Sequence, residues 1–282
     1  MVHYYSSENP YMHSAIIQGV VFDLDNTLYA EPENAHEYHL QAAIEAVLLQ
    51  CSDLDEPRVR DLLIESKDKY GGSLDIFTKE YGADMERLRR DQYARLIKNT
   101  TNSTFFDPNS GLRAGVSKLR IAGINIAIAT HGNEAWKDHA LAESVLGHLF
   151  NDRSVHVCKD DMPDFAGKEA GTQMHERALD MLGVPKNKAL SERGIGYVLI
   201  EDTLQNLKFA KEMGEMTILI NADNRYSPED IEKAGYVDVI VDTHNDATGV
   251  IIDSNAALEI QMRMRREADT GLEASSDFPE PL

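Results

Sequence analysis

Two aspartates, Asp23 and Asp25, close an apolar run in the stretch GVVFDLDNTLYAEP, with only Leu24 between them and Thr27 just after. Burying one carboxylate costs several kcal/mol unless something compensates it, roughly as for any buried polar group, and two side by side repel. A cation or a proton therefore belongs between them. Further along, INIAIAT ends in Thr130, followed by His131 and Gly132, and YVLIED ends in Glu201 and Asp202. Lys168 stands just ahead of a helix-like segment. Carboxylate oxygens from two strand ends suit a hard cation such as Mg2+. Such a cation neutralises the acids and shields them from an incoming phosphate, so that a carboxylate can attack phosphorus. Thr130 and the backbone N–H groups of His131 and Gly132 can hold phosphate oxygens. Lys168 can offset charge on a transferring phosphoryl group. Asp25, two residues past Asp23, points to the same face of an extended strand and could protonate a leaving oxygen and later deprotonate water.

These residues need a scaffold that gathers strand ends. The short β-branched runs GVVFDLD, INIAIAT, SVHVC, YVLIED, MTILI and VDVIV have the length and continuity of buried parallel strands. From INIAIAT onward they alternate with segments of helical periodicity, two of which end in Gly183 and Gly214. The pattern predicts an α/β fold with a doubly wound parallel sheet, where ligands bind beyond the carboxyl ends of the strands. Residues 35–106 break the rhythm with helical patterns and no strand. The expected organisation is an N-terminal segment with the first core strand over 1–30, an inserted all-helical domain over 31–106, the core domain over 107–265 and an acidic disordered tail over 266–282.

Composition narrows the classes. The chain has 282 residues, a formal charge of -20 and 42% hydrophobic residues. So acidic a chain is a poor ligand for a nucleic-acid polymer or an anionic membrane by bulk attraction, and a small anionic substrate would need local groups to hold it. Two cysteines, Cys51 and Cys158, form no metal spacing or disulfide framework, and no apolar run approaches a bilayer span. A soluble cytoplasmic protein is expected; nothing in the chain reads on oligomeric state.

At the residues named first, the chain resembles the haloacid dehalogenase (HAD) superfamily. DLDNTL looks like its first motif, D-x-D-x-T, and IAIATHG its second. Lys168 is similar to the third, and IEDTLQN to the fourth. The resemblance implies a Rossmann-like core, Mg2+ and an aspartyl-phosphate intermediate. By position it implies Asp23 as nucleophile and Asp25 as acid/base. It places the metal on Asp23, the backbone carbonyl of Asp25 and Asp202, with Glu201 either beside the metal or a neighbour of it. The helical insertion is similar to a C1 cap. Within it KYGGSLDIF resembles a Y-G-x-x-L stretch of the pyrimidine 5'-nucleotidase branch. The chain departs from that branch at Asp75-Ile76, where Gly-Leu is usual, at His131, where Asn is usual, and at Glu169, where Pro is usual.

The implied activity is a Mg2+-dependent phosphomonoester phosphatase acting on a small phosphorylated metabolite, a nucleoside 5'-monophosphate first. The alternatives are a phosphatase of a sugar phosphate or phosphoglycolate, a phosphomutase, or a catalytically silent phosphate-binding protein. Several residues carry two readings. Lys159 competes with Lys168 for the third-motif role. Tyr70 either stacks on a substrate base or packs within the cap. His131 either reaches substrate or sits at the rim. Arg87, Arg89 and Arg90 read as a solvated helix face, and Trp136 as packing at a helix start.

Overall fold

The computed structural model describes residues 2–6, 9–11, 13–101, 103–106, 112–150, 155–222 and 224–274. Two strands come first, β1 (His3–Tyr4) and β2 (Gly19–Phe22). Four helices follow: α1 (Ala35–Leu48), α2 (Glu56–Tyr70), α3 (Asp75–Tyr81) and α4 (Met85–Thr100). Then come α5 (Leu112–Ile121), β3 (Asn125–Thr130), α6 (Glu134–Glu143), β4 (Val155–Cys158), α7 (Gln173–Met181) and α8 (Leu190–Arg193). The chain ends with β5 (Tyr197–Glu201), α9 (Leu207–Glu212), β6 (Met216–Ile220), α10 (Pro228–Ala234), β7 (Val239–Val241) and α11 (His244–Ala274).

The strands form one seven-stranded sheet in the order β1-β7-β6-β5-β2-β3-β4, and β5–β6, β6–β7 and β1–β7 pair in parallel. Every residue of β2, β5, β6 and β7 is buried. Continuous apolar strands of this kind are what a parallel sheet covered on both faces requires. The switch in strand order lies around β2 and β5, and the acids expected at the site close or follow those two strands.

Contacts divide the chain into two compact units. The first comprises Met1–Val21, Gly111–Ala127 and Leu179–Leu282; the second comprises Phe22–Ser110 and Ile128–Ala178. In the first, α5 packs on α11, and α11 packs on β6 and β7. A Cβ at Gly115 of α5 would stand 2.0 Å from Thr248 Oγ1 of α11, so only glycine permits that approach. In the second, α1 packs on α4 and α2, and α2 on α3, around Ile44, Val47, Leu62, Phe77 and Leu88. Asp55 and Asp84 cap α2 and α4 by accepting the N–H groups of Arg58 and Arg87. Gly71 and Gly82, both left-handed, end α2 and α3.

The expected tail is corrected in part. Helix α11 continues to Ala274, so residues 266–274 are helical, and residues 275–282 lie outside the described residues. The run of good helix formers QMRMRREA extends the helix. The stretch 107–111, expected to lead back to the sheet, also lies outside them.

One buried acid makes stability pH-dependent. Glu215 precedes β6 at 1% exposure, and burial pushes its carboxyl up to about 8. The folded state thus holds this proton more tightly than the unfolded chain. Its contribution is intact below about pH 4.5 and is lost as pH rises to about 8. Replacing Glu215 with Gln should leave Tm nearly unchanged at pH 4.5 and raise it at pH 8, where unfolding free energy should gain on the order of a few kcal/mol. Thermal unfolding of both proteins across that range checks it; equal Tm differences at the two ends would refute the assignment.

Candidate active site

The chain leaves β2 at Phe22 and turns sharply. Leu28 N–H donates to Leu24 O at 2.9 Å, and Asn26 takes the left-handed conformation (φ 53°) that Asn tolerates better than most residues. The turn buries Asp23 at 6% exposure and leaves Asp25 half-buried. Lys168, fully buried, donates from Nζ to Asp23 Oδ1 at 2.5 Å and to Ala129 O at 3.0 Å. A carboxylate and an ammonium withdrawn from water are tolerable only when paired this closely. Lys159 instead points to Glu169 Oε1, 3.5 Å away. Lys168, rather than Lys159, is the lysine at Asp23.

Asp25 has partners the sequence did not disclose. Tyr29 O–H and Trp136 Nε1–H both donate to its Oδ1, at 2.5 and 2.7 Å. Burial raises the Asp25 pKa, and the nearby Glu31 raises it further, while His39 and the two donated hydrogen bonds oppose the rise. A carboxyl held above its ordinary range suits proton transfer near neutral pH. Trp136 does pack, against Phe105 and Phe106, but its indole N–H is aimed at Asp25. The local cause is the start of α6, where Asn133 accepts Trp136 N–H at 2.8 Å as the N-cap and fixes the direction of the first turn.

Thr130 ends β3, fully buried, and its Oγ1 accepts Gly132 N–H at 2.9 Å. A Cβ at Gly132 would stand 2.7 Å from Trp136 Cδ1, so the loop closes only with glycine there. The side chain of His131 turns to Glu169, with Nε2 to Oε2 at 2.9 Å. Its carbonyl accepts from Arg89 Nη2 at 3.0 Å and from Tyr93 O–H at 3.1 Å. Arg89 also donates to Asp160 Oδ1 from Nε at 2.7 Å. Arg89 is therefore no solvated residue; it is 9% exposed, whereas Arg87 and Arg90 are exposed. Tyr70 lies at the end of α2, donates to Glu80 Oε1 at 2.6 Å and has the ammonium of Lys79 over its ring at 4.1 Å.

A cavity of about 460 Å³ lies among the helices, lined by residues that include His36, His39, Leu40, Arg60, Leu63 and Lys67. Tyr70 does not line it. His39 pairs with Glu31 at 3.1 Å and packs edge-on against Trp136.

In the other unit, Glu201 ends β5 at 1% exposure and accepts Thr203 N–H at 3.0 Å. Asp202, 8% exposed, accepts from Arg225 Nη1 at 3.0 Å. Asn206 is buried in the 3-10 turn that follows.

Acids at the ends of β2 and β5, Thr130 at the end of β3, and Lys168 brought to Asp23 from the turn ahead of α7 are groups that an α/β enzyme uses in group transfer. The family model for haloacid dehalogenase-like hydrolases matches residues 17–214, and the chain belongs to that family. A search of curated proteins gave no match. Among solved structures, CbbY from Rhodobacter sphaeroides in complex with phosphate aligns with a TM-score of 0.59 at 20% identity, over 82% of this chain and 96% of that one. A mutant of the same protein in complex with xylulose-(1,5)bisphosphate aligns with a TM-score of 0.58 at 20% identity, over 82% and 96%. β-Phosphoglucomutase from Clostridium difficile aligns with a TM-score of 0.56 at 13% identity, over 87% and 99%. At these identities the likeness is one of fold. Among the described residues no helix is long and apolar enough to cross a membrane.

Proposed function

We propose that this hydrolase cleaves phosphomonoesters of small metabolites through an aspartyl-phosphate, with Asp23 as nucleophile and Asp25 as acid/base. The observation that carries the reading is the division of labour between the two aspartates. Asp23 is paired with the buried amino group of Lys168, while Asp25 sits in a setting that raises its pKa. Two carboxyl groups with opposed environments take opposed roles.

Asp23, Glu201 and Asp202 are buried and offer hard carboxylate oxygens that fit Mg2+, and the ion is assigned to them with the backbone carbonyl of Asp25 as a further ligand. Thr27 Oγ1 is buried with no hydrogen-bond partner among the described residues, a donor left for a group from outside the protein. When bound, Mg2+ would screen the carboxylates from the substrate phosphate and stabilise charge on it. Asp23 would attack phosphorus, forming the O–P bond of the acyl phosphate as the ester P–O bond breaks. Asp25 would give its proton to the departing alkoxide. It would then take one from the water that attacks phosphorus, releasing inorganic phosphate and restoring Asp23. Lys168 would balance charge at the attacking carboxylate. Thr130 would donate its O–H to a phosphate oxygen while its Oγ1 goes on accepting Gly132 N–H.

We read residues 31–106 as a cap, in which α1–α4 shape the leaving-group pocket. The lining residues given above mix aliphatic, charged and imidazole side chains, which suit the hydroxyls of a sugar or the face of a base. The complexes of CbbY with phosphate and xylulose-(1,5)bisphosphate are what place a phosphorylated sugar ahead of a nucleoside 5'-monophosphate in this reading.

A panel of phosphorylated sugars, nucleotides and phosphoglycolate ranked by kcat/KM, with Mg2+ and then with EDTA, tests this. At least one sugar phosphate should exceed every nucleotide by about tenfold, a margin within reach of pocket contacts, and EDTA should abolish turnover. A nucleotide at the head of the ranking returns the substrate to the 5'-nucleotidase class. Turnover of a sugar phosphate to its isomer without release of phosphate would make the protein a phosphomutase. Full activity in EDTA would remove the metal from the account.

A further inference from the structure

His131 and Glu169 are 38 residues apart in number and touch in space, Nε2 to Oε2 at 2.9 Å. The same Nε2 lies 3.1 Å from the backbone N–H of Lys168. One ring nitrogen cannot serve both partners at once. Unprotonated, it accepts the Lys168 N–H; protonated, it donates to the Glu169 carboxylate. We infer that His131 is a positioning residue for Lys168, holding the backbone of the lysine through Nε2 and releasing it when the imidazole turns to Glu169. The inference rests on the phosphatase reading only for its effect on rate.

Three further features support it. The loop is built around the imidazole: a Cβ on Gly167 would stand 2.5 Å from His131 Nε2 and would also collide with Glu169 Oε2, so only glycine before Lys168 admits the pair. The backbone of His131 is fixed independently of its ring, because its carbonyl accepts from both Arg89 and Tyr93 of α4. In this proposal the ring changes partner against a clamped main chain. The lysine end is equally constrained, since Lys168 O lies 3.3 Å from His175 Nε2 and Lys168 Nζ reaches Asp23 Oδ1. A shift of the 168–170 turn is thus passed to the ammonium at Asp23, and a misplacement of about 1 Å at a reacting group can cost about a hundredfold in rate.

The charged and titratable groups facing the imidazole are Glu169 and Lys168 on that turn, Lys159 and Asp160 on the turn after β4, Arg89 and Tyr93 on α4, and His175 on α7. Burial and the two lysines lower the His131 pKa, while Glu169 raises it; the net shift is downward. The accepting state, with Lys168 held, is accordingly the one at neutral pH.

NMR of the full chain tests this without reference to activity. The imidazole of His131 and the backbone amide of Lys168 are followed from pH 8 to pH 4.5. The Lys168 amide should shift with the same midpoint as the imidazole, below 6.5. In E169Q that midpoint should fall further, because the carboxylate that favours the charged ring is gone. In H131Q the shift of the Lys168 amide should vanish. A Lys168 amide that stays still across this range, or whose shift persists in H131Q, overturns the inference. Kinetics with p-nitrophenyl phosphate and Mg2+ then read the consequence. H131A should lower kcat by about tenfold or more with KM changed less than about twofold, and adding E169Q to H131A should cost little more, as expected for coupled neighbours. Independent, multiplying losses would break the link between the two residues. If the native chain fails to turn over any phosphomonoester while the NMR coupling holds, the phosphatase reading is wrong and the positioning contact stands.

Discussion

Asp23→Asn should abolish turnover. The kcat for p-nitrophenyl phosphate with saturating Mg2+ should drop by about a thousandfold or more, since an amide oxygen is a far weaker nucleophile than a carboxylate and no second carboxylate can take its place. Asp25, the nearest candidate, is engaged on one oxygen by both Tyr29 and Trp136 and sits where its charged form is disfavoured. The substitution is nearly isosteric, and the amide oxygen can still accept from Lys168 Nζ, but the buried ammonium loses its counter-charge, so Tm should fall as well. Circular dichroism at the assay temperature, showing the variant still folded, separates loss of chemistry from loss of structure. A variant that retains more than about a tenth of the native kcat would show that Asp23 does not attack phosphorus.

Lys168→Met should produce the second-largest effect, and it should be visible in stability as well as in rate. Lys168 is fully buried, and its ammonium reaches both Asp23 Oδ1 and Ala129 O. Removing it strips the counter-charge from a buried carboxylate, which in comparable cases costs about 3–5 kcal/mol. The kcat should fall by about a hundredfold, because charge on the attacking and transferring groups loses its nearest compensation. The control is the double variant in which Asp23→Asn accompanies Lys168→Met. Replacing both charges relieves the uncompensated carboxylate, so Tm measured without metal should recover most of what the single variant lost. A Lys168→Met protein with native Tm and native kcat would mean that this contact has no role in either. Native Tm with depressed kcat would assign the lysine to chemistry alone.

Before any coordinates, the chain itself determined the sheet and the ends of its strands. Runs such as GVVF, NIAIAT, YVLIE and MTILI are continuous, β-branched and short, which leaves buried parallel strands as their one stable use. Asp23, Thr130, Glu201 and Asp202 close or follow such strands, and their places at strand ends follow from local pattern together with the topology of doubly wound sheets. Two helix ends were legible for the same reason, since Gly183 and Gly214 take positive φ just past α7 and α9.

What the tertiary structure alone decided are the partnerships across long separations. Lys168 and Lys159 are nine positions apart in a stretch of short turns, and no periodicity there says which ammonium meets an acid 145 residues earlier. Trp136 reads as a packing residue from its helix, but its N–H meets Asp25 from 111 residues away. Arg89 stands among other arginines on a polar helix, and only the packing of α4 turns it inward to Asp160 and the His131 carbonyl. Tyr70, open to a stacking role by its sequence context, is committed to Glu80 and Lys79 by the fold of α2 on α3. Local sequence sets which face of an element is apolar. The partner of a polar group on that element is set by how the chain returns, and burial leaves that group little choice but to find one.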